Sequence, residues 1–388
     1  MKMRKLLILF GAPGSGKSEA CKQLEKLSEG NIIIVKKQTT RPKRVTDGSD
    51  IECVDKISNE NDFRYSQYGF DYGFSSKNIW QAFLLNKSVA VIVNDIRTIK
   101  QLNKSFGSLS QNIYIHSNIE RDKIQSIAKL RYPNMSNEFL VKDIEKRIEK
   151  IKSIHRKYIS NTYLFDSSVI NIYNENSIES IKELNIQLAQ IYNKRPEERN
   201  MYNSTARILI IAGGSFAGKD ELVRALIQIE PSKVIAYQKG TTRPKTSIDN
   251  NELCHLKKLN DNYDITYLKN GYKYGLSSNK IWSVLSEKKI VLIVLSELEA
   301  IKKVKAEFDN ICSVIYLHSN IDFDELEHAK KTLNKVEFKN REKSIDELRR
   351  SYIENINLFD HVLLNTSESE DLYDQAFNIL DYYLGNNT

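Results

Sequence analysis

The chain has 388 residues, 40% of them hydrophobic and 28% charged, with a formal net charge of +8. That length exceeds what a single hydrophobic core serves and suits two domains of ordinary size, while the composition excludes a disordered or fibrous chain. The longest apolar runs, such as Lys289 to Leu295, are strand-length and far short of a membrane span.

Met1 to Lys5 ahead of Leu6–Phe10 has the outline of a secretory leader, but its apolar part is five residues and runs straight into a glycine loop. It is expected to be a first strand, not a signal peptide. The cysteines Cys21, Cys53, Cys254 and Cys312 show neither C-x-x-C spacing nor a disulfide framework, so reduced thiols in a cytoplasmic protein are expected. Basic residues are spread along the chain with acidic ones beside them. A small phosphorylated substrate and a lysine-rich solvated surface account for the charge more simply than a nucleic-acid partner does. No membrane partner is expected, and a homo-oligomer stays open.

After the first strand comes Gly11-Ala-Pro-Gly14-Ser-Gly16-Lys17-Ser18, which fits G-x-x-x-x-G-K-[ST]. An apolar strand precedes it and a helix-compatible run, Glu19 to Leu27, follows. Glycines let backbone N–H groups wrap an anion and the helix N-terminus adds partial positive charge. Lys17 would reach the outer phosphates of ATP, and the Ser18 hydroxyl would ligate Mg²⁺. Further elements are expected in order: strand 32–35, a polar segment through Asp62, helix 78–85, strand 89–93, helix 98–105 and strand 111–115. Charged helices follow over 119–130 and 138–159, then a short strand near 169–173 and a closing helix 177–191. Near-continuous apolar strands alternating with helices predict a parallel sheet covered on both faces, with ligands at the carboxyl ends of the strands.

The chain then repeats itself. Gly11 and Gly213, Lys17 and Lys219, Thr40-Arg41-Pro42 and Thr242-Arg243-Pro244, Tyr72-Gly73 and Tyr274-Gly275, and Trp80 and Trp282 are all 202 positions apart. Later the spacing becomes 194, as between Arg147 and Arg341, so the second copy has lost eight residues from the intervening region. Two homologous domains are expected, residues 1–192 and 207–388, joined by a polar linker over 193–206. The two tryptophans, at helical spacing among apolar neighbours, are expected in the core, as are or in turns His116 and His318. The charged run 142–152 is expected as a solvated helix face.

Strand two leads into Thr39-Thr40-Arg41-Pro42-Lys43-Arg44, where Arg41 and Arg44 suit a second phosphate because a guanidinium holds oxyanions in a bidentate fork. A turn fixed by Pro42 with a solvated basic face is the equal alternative. A phosphate loop, then Thr-Thr-Arg-Pro-x-Arg, then Tyr72-Gly73, an apolar strand leading to Asp95 and a charged helical lid together resemble the guanylate kinases over nearly all of both copies. The resemblance implies an α/β fold of two tandem P-loop NTPase domains, each a parallel sheet covered by helices with a lid. It implies that Arg41 and Arg44 hold the acceptor phosphate, that Tyr72 lines the acceptor pocket and that Asp95 stands near the acceptor base. Arg131 and Arg147 would be lid arginines that neutralise the transferring phosphoryl group. Asp95 has an alternative role, capping the helix that begins near Thr98.

The departures bear on the acceptor. Glu52-Cys53 replaces the family's Asp-Tyr, Arg64 or a neighbour stands where a guanine-reading glutamate is expected, and Phe74 replaces a base-contacting serine or threonine. Arginine offers no acceptor to guanine. Ribose 1,5-bisphosphate phosphokinases are also similar, through Val93-Asn94 with Arg97 and through Gly218-Lys219-Asp220 in copy two. Copy two keeps Gly213, Gly218 and Lys219 but has Phe216 at the place of Gly14, Thr246 for Arg44, Glu297 for Asp95 and Glu299 for Arg97. The expected function is an ATP- and Mg²⁺-dependent kinase with chemistry in the first copy, acting on a nucleoside monophosphate or, alternatively, a phosphorylated sugar. A non-catalytic nucleotide sensor or scaffold is the competing class.

Overall fold

The computed structural model describes residues 4–43, 47–48, 50–117, 124–125, 137–171, 178–194, 207–215, 217–245, 252–269, 271–287, 290–319, 335–366 and 369–385. Contacts divide the chain into two units, Met1–Arg199 and Asn200–Thr388.

In the first unit β1 (Leu6–Gly11) is buried at every position, as a strand covered on both faces must be. It pairs in parallel with β7 (Ser88–Ile92) on one side and β8 (Ser110–Ser117) on the other. The outer strands β2 (Ile32–Ile34) and β9 (Ser167–Asn171) complete the all-parallel order β2-β7-β1-β8-β9. Helix α1 (Lys17–Leu27) carries the chain from β1 toward β2, whereas α3 (Ile96–Phe106) carries it from β7 to β8, on the other side of β1. The connections therefore part at the carboxyl ends of β1 and β7, the crevice where such sheets place ligands. Behind it, Tyr114 stacks on Tyr158 of α4 (Asn137–Ile159) with centroids 3.7 Å apart, and Phe10 and Phe165 close the cluster.

A second sheet departs from the sequence reading, which left the residues through Asp62 as a polar segment. Strands β3 (Lys37–Thr39), β4 (Ile51–Cys53), β5 (Phe63–Gln67) and β6 (Phe70–Phe74) form a mixed sheet in the order β4-β3-β6-β5. Two of these strands are three residues long, too short for an alternation to register. Gly73 is glycine for a packing reason: a Cβ there would lie 2.5 Å from the Ile57 side chain and 3.1 Å from that of Asn61. The tryptophan expectation is also corrected. Trp80, on α2 (Ser76–Leu84), is 46% exposed and packs one face on Phe83 and Phe106, and Trp282 is 47% exposed. Helical spacing put them on the inward side, but the helix lies at the surface and an indole is too large to be covered there. The helix expected over 119–130 lies outside the described residues except at 124 and 125.

The second unit repeats this plan. Its strands β10 (Ile208–Gly213), β11 (Val234–Ala236), β16 (Ile290–Val294), β17 (Cys312–Ser319) and β18 (His361–Asn365) form the parallel order β11-β16-β10-β17-β18. Strands β12 (Lys239–Thr241), β13 (Leu253–His255), β14 (Ile265–Lys269) and β15 (Tyr272–Leu276) form the mixed one. Helices α6 (Lys219–Ile229), α8 (Leu298–Phe308) and α9 (Lys335–Glu354) occupy the places of α1, α3 and α4. The four cysteines are free thiols, and among the described residues no helix is long and apolar enough to cross a membrane.

Each closing helix is pinned by one buried glutamine. Strand β9 is an edge strand, and Gln187 of α5 (Ile178–Asn193) covers it, accepting from Ile170 N at 2.9 Å and donating to Ile170 O at 3.0 Å. Gln375 does the same for Leu364 at 2.8 and 2.7 Å. Gln187→Leu strands a buried N–H and a buried carbonyl, and urea unfolding should register a loss of about 2 kcal/mol or more.

Candidate functional site

The loop after β1 is built to approach something closely. Gly14 and Gly16 both have φ of 86°, and Gly16, the residue before α1, is in the left-handed region that glycine enters without strain. A Cβ on Gly11 would lie 2.6 Å from the Ile115 carbonyl oxygen and 2.7 Å from Ser15 Oγ. The loop thus wraps back over Lys17, whose Nζ donates to the carbonyls of Gly11 at 2.8 Å and Ala12 at 2.6 Å. Burial and the neighbouring Lys37 ammonium lower the Lys17 pKa to about 7. Asn94, at the end of β7, accepts from Gly11 N at 3.3 Å, so the asparagine of the Val93-Asn94 pair buttresses this loop. The Ser18 side is solvent-exposed.

These features fit a condensed phosphate: a turn open to backbone approach, and a desolvated ammonium held only by carbonyl oxygens. Among the described residues no three His, Cys, Asp or Glu side chains are grouped to hold a metal. Ser18, exposed at the start of α1, could ligate a Mg²⁺ that arrives with the phosphates it accompanies, the mode this ion favours.

Lys37 was missed by the sequence reading. It is 5% exposed, its Nζ donates to Ile92 O at 2.7 Å, and burial lowers its pKa to about 8. It ties the mixed sheet to the carboxyl end of β7 and adds a second cation beside Lys17. Lys239 does the same to Val294 O at 2.5 Å. The signal was present: Lys37 and Lys239 keep the 202 spacing while the neighbouring Lys36 becomes Gln238.

Arg41 differs from expectation. Its guanidinium is closed by Asp47, which accepts from both terminal nitrogens at 2.8 and 2.5 Å, and the two side chains are only 7% and 8% exposed. That bonding raises the Arg41 pKa. A bidentate carboxylate occupies the fork that a phosphate would use, so in this state Arg41 is not an open anion site. Asp249 repeats Asp47 at the 202 spacing, although it lies outside the described residues. Arg44 and Arg131 lie outside them too, as do Phe216 and Thr246. Arg147 is paired with Asp143 one turn earlier on α4 at 2.5 Å.

Tyr72 stacks on Tyr65 across β5 and β6 with centroids 5.2 Å apart. Tyr72 is in electrostatic reach of Arg41, and Tyr65, its pKa raised by burial and then by Tyr72, is in reach of Asp95. Asp95 itself caps α3: Oδ2 accepts from Thr98 N and from Thr98 Oγ1, both at 2.8 Å. Lys150 of α4 lies 4.5 Å over the Tyr68 ring, so this helix leans toward the tyrosine-bearing hairpin. Two residues that the sequence reading set at the places of base-contacting side chains have structural jobs. Arg64 donates to Asn61 O and Ser58 O, and Phe74 is buried against Phe63, so neither faces the crevice as a base reader.

Lys17, Lys37, Arg41, Tyr72, Tyr65 and Asp95 thus each lie within electrostatic reach of the next, while Arg147 is held in its own helix. In the second unit Lys219 Nζ repeats the loop contacts, to Gly213 O at 3.1 Å and Gly214 O at 2.6 Å, and burial lowers its pKa to about 8.

No family model and no curated protein matches the chain. Among solved structures, guanylate kinase from Anaplasma phagocytophilum is similar at 18% identity, with a TM-score of 0.34, over 50% of this chain and 88% of that one.

Proposed function

We propose that the first unit is an ATP- and Mg²⁺-dependent kinase of a phosphorylated small molecule, with a nucleoside monophosphate as the leading acceptor. The observation that carries this is Lys17, a desolvated ammonium folded onto the carbonyls of a glycine loop at the parting of the sheet connections. In-line phosphoryl transfer asks for held phosphates and neutralised charge rather than covalent chemistry. Lys17 and the loop N–H groups would hold the donor, and Mg²⁺ on Ser18 would supply charge neutralisation. Tyr65, Tyr72 and Asp95 offer a flat aromatic wall beside a carboxylate, which suits a base better than a bare sugar phosphate. Arg41 would take the acceptor phosphate by exchanging Asp47 for it, and Arg44, Arg131 and Arg147 would add charge as the lid closes.

The closed Arg41–Asp47 pair favours a second reading, a nucleotide-binding module without turnover. An ADP-release screen across nucleoside monophosphates and ribose phosphates separates them. Turnover with a nucleotide alone is the expected result; turnover only with a ribose phosphate makes the enzyme a sugar-phosphate kinase, and ATP binding without any turnover favours the module.

The state of Lys17 also sets a pH dependence. A bound phosphate raises the pKa of an ammonium that stands at about 7 in the free protein. Binding strength is then complete below that pH and declines as pH rises through the window between the free and bound values. ATP affinity for Lys219→Ala protein should fall by up to about tenfold per pH unit above 7, with uptake of up to about one proton, measured by calorimetry in buffers of different ionisation enthalpy.

A further inference from the structure

The second unit departs from the first in three positions that act together. In the first unit Asp95 caps α3 through Oδ2, which accepts from the amide and hydroxyl of Thr98. The corresponding residues are Glu297 and Ala300, so the hydroxyl partner is gone and the carboxylate stands on a longer stem. Glu297 makes no cap bond to α8. It turns instead to Lys269, the counterpart of Gln67, and pairs with its Nζ at 2.6 Å. Lys269 lies on β14 beside the stacked Tyr267 and Tyr274, and both Lys269 and Glu297 are within electrostatic reach of Lys219. Glu297 is therefore salt-bridged to Lys269, and Lys219 and Lys239 both stand within electrostatic reach of this pair and of Asp220, where the first unit has Gln67 at the place of Lys269.

The surroundings reinforce this. Lys219, Lys269 and Glu297 line an open cleft of about 2090 Å³, well above the size of an ordinary small-molecule pocket. Seven lysines and Arg243 line it against four carboxylates; Glu347 and Glu297 pair with Lys343 and Lys269 of the lining, and Glu299 pairs with Lys302 outside it. Position 220, where the first unit has the hydroxyl of Ser18, carries an exposed aspartate within electrostatic reach of Lys219, a negative charge that the added lysine must offset if a phosphate chain is to enter without metal.

We propose that the second unit binds a condensed phosphate chain free of divalent metal, with Lys269 supplying the positive charge that Mg²⁺ supplies in the first unit and Glu297 leaving Lys269 as the ligand enters. The exchange trades one anionic partner for another, so the lysines stay compensated in both states. The inference rests on reading the glycine loop as a phosphate cradle, as the proposed function does, but it concerns the other unit and calls for no phosphoryl transfer.

The test is calorimetric titration of full-length Lys17→Ala protein, in which the first loop is silenced, with ATP, tripolyphosphate and AMP, each in EDTA and in Mg²⁺. ATP or tripolyphosphate should bind in EDTA at least as tightly as in Mg²⁺. A preference for ATP identifies a nucleotide as the source and equal binding an inorganic chain; either supports the proposal. Adding Lys269→Gln should weaken binding in EDTA about tenfold or more, whereas Lys269→Arg retains it. Lys269 is at the surface, so both variants should fold. Binding that needs Mg²⁺, an unchanged affinity in Lys269→Gln, equal binding of AMP, or no binding at all overturns the proposal. ATP–Mg²⁺ binding by Lys219→Ala protein reports separately on the first unit and stands or falls by itself.

Discussion

Lys17→Ala should lower phosphoryl transfer on the order of 10²–10³-fold or more, the usual consequence of removing a preorganised charge from a water-poor site. The reason is specific to this loop. Lys17 is held over the Gly11 and Ala12 carbonyls by bonds that an alanine methyl cannot make, and Lys37 is already engaged with Ile92 O. Among the described residues Lys37 is the cation beside Lys17, and it could take its place only by releasing the mixed sheet. Lys219→Ala should leave most of the turnover, because chemistry is assigned to the first unit. Steady-state kinetics of the two variants decide the matter. A lethal Lys219→Ala beside an active Lys17→Ala would reverse the roles of the units.

The second large effect concerns stability. Asp47→Ala leaves the Arg41 guanidinium, 7% exposed, without its bidentate partner, and breaking such a pair from one side costs about 3–5 kcal/mol. Replacing both, as Arg41→Met with Asp47→Leu, should recover most of the loss, because no unpaired charge is then left inside. Urea unfolding of the single and double variants measures this. The same variants test the proposed exchange at Arg41. If the acceptor phosphate takes the place of Asp47, inorganic phosphate or pyrophosphate should raise the melting temperature of Asp47→Ala protein more than that of the parent. A purely structural pair would show no such excess.

The parallel sheets and the turn of the glycine loop were legible in the sequence because both are written locally. Leu6–Phe10 is continuously apolar, and only glycine enters the left-handed conformation before α1 at no cost, so the pattern and the chemistry coincide. The duplication was legible for a similar reason, since one register persists from Gly11 to Ile119. The mixed sheets were not, because strands of three residues are held by partners far along the chain rather than by their own periodicity. The partners of charged side chains were not legible either. Nothing local to Arg41 indicated that Asp47, six residues on, would fold back and fill its fork, or that Glu297 would leave a helix cap for Lys269. Where a chain states its own conformation residue by residue, sequence determines the outcome. Which ion meets which depends on distances set by turns and packing between strands, and that only the tertiary structure decides.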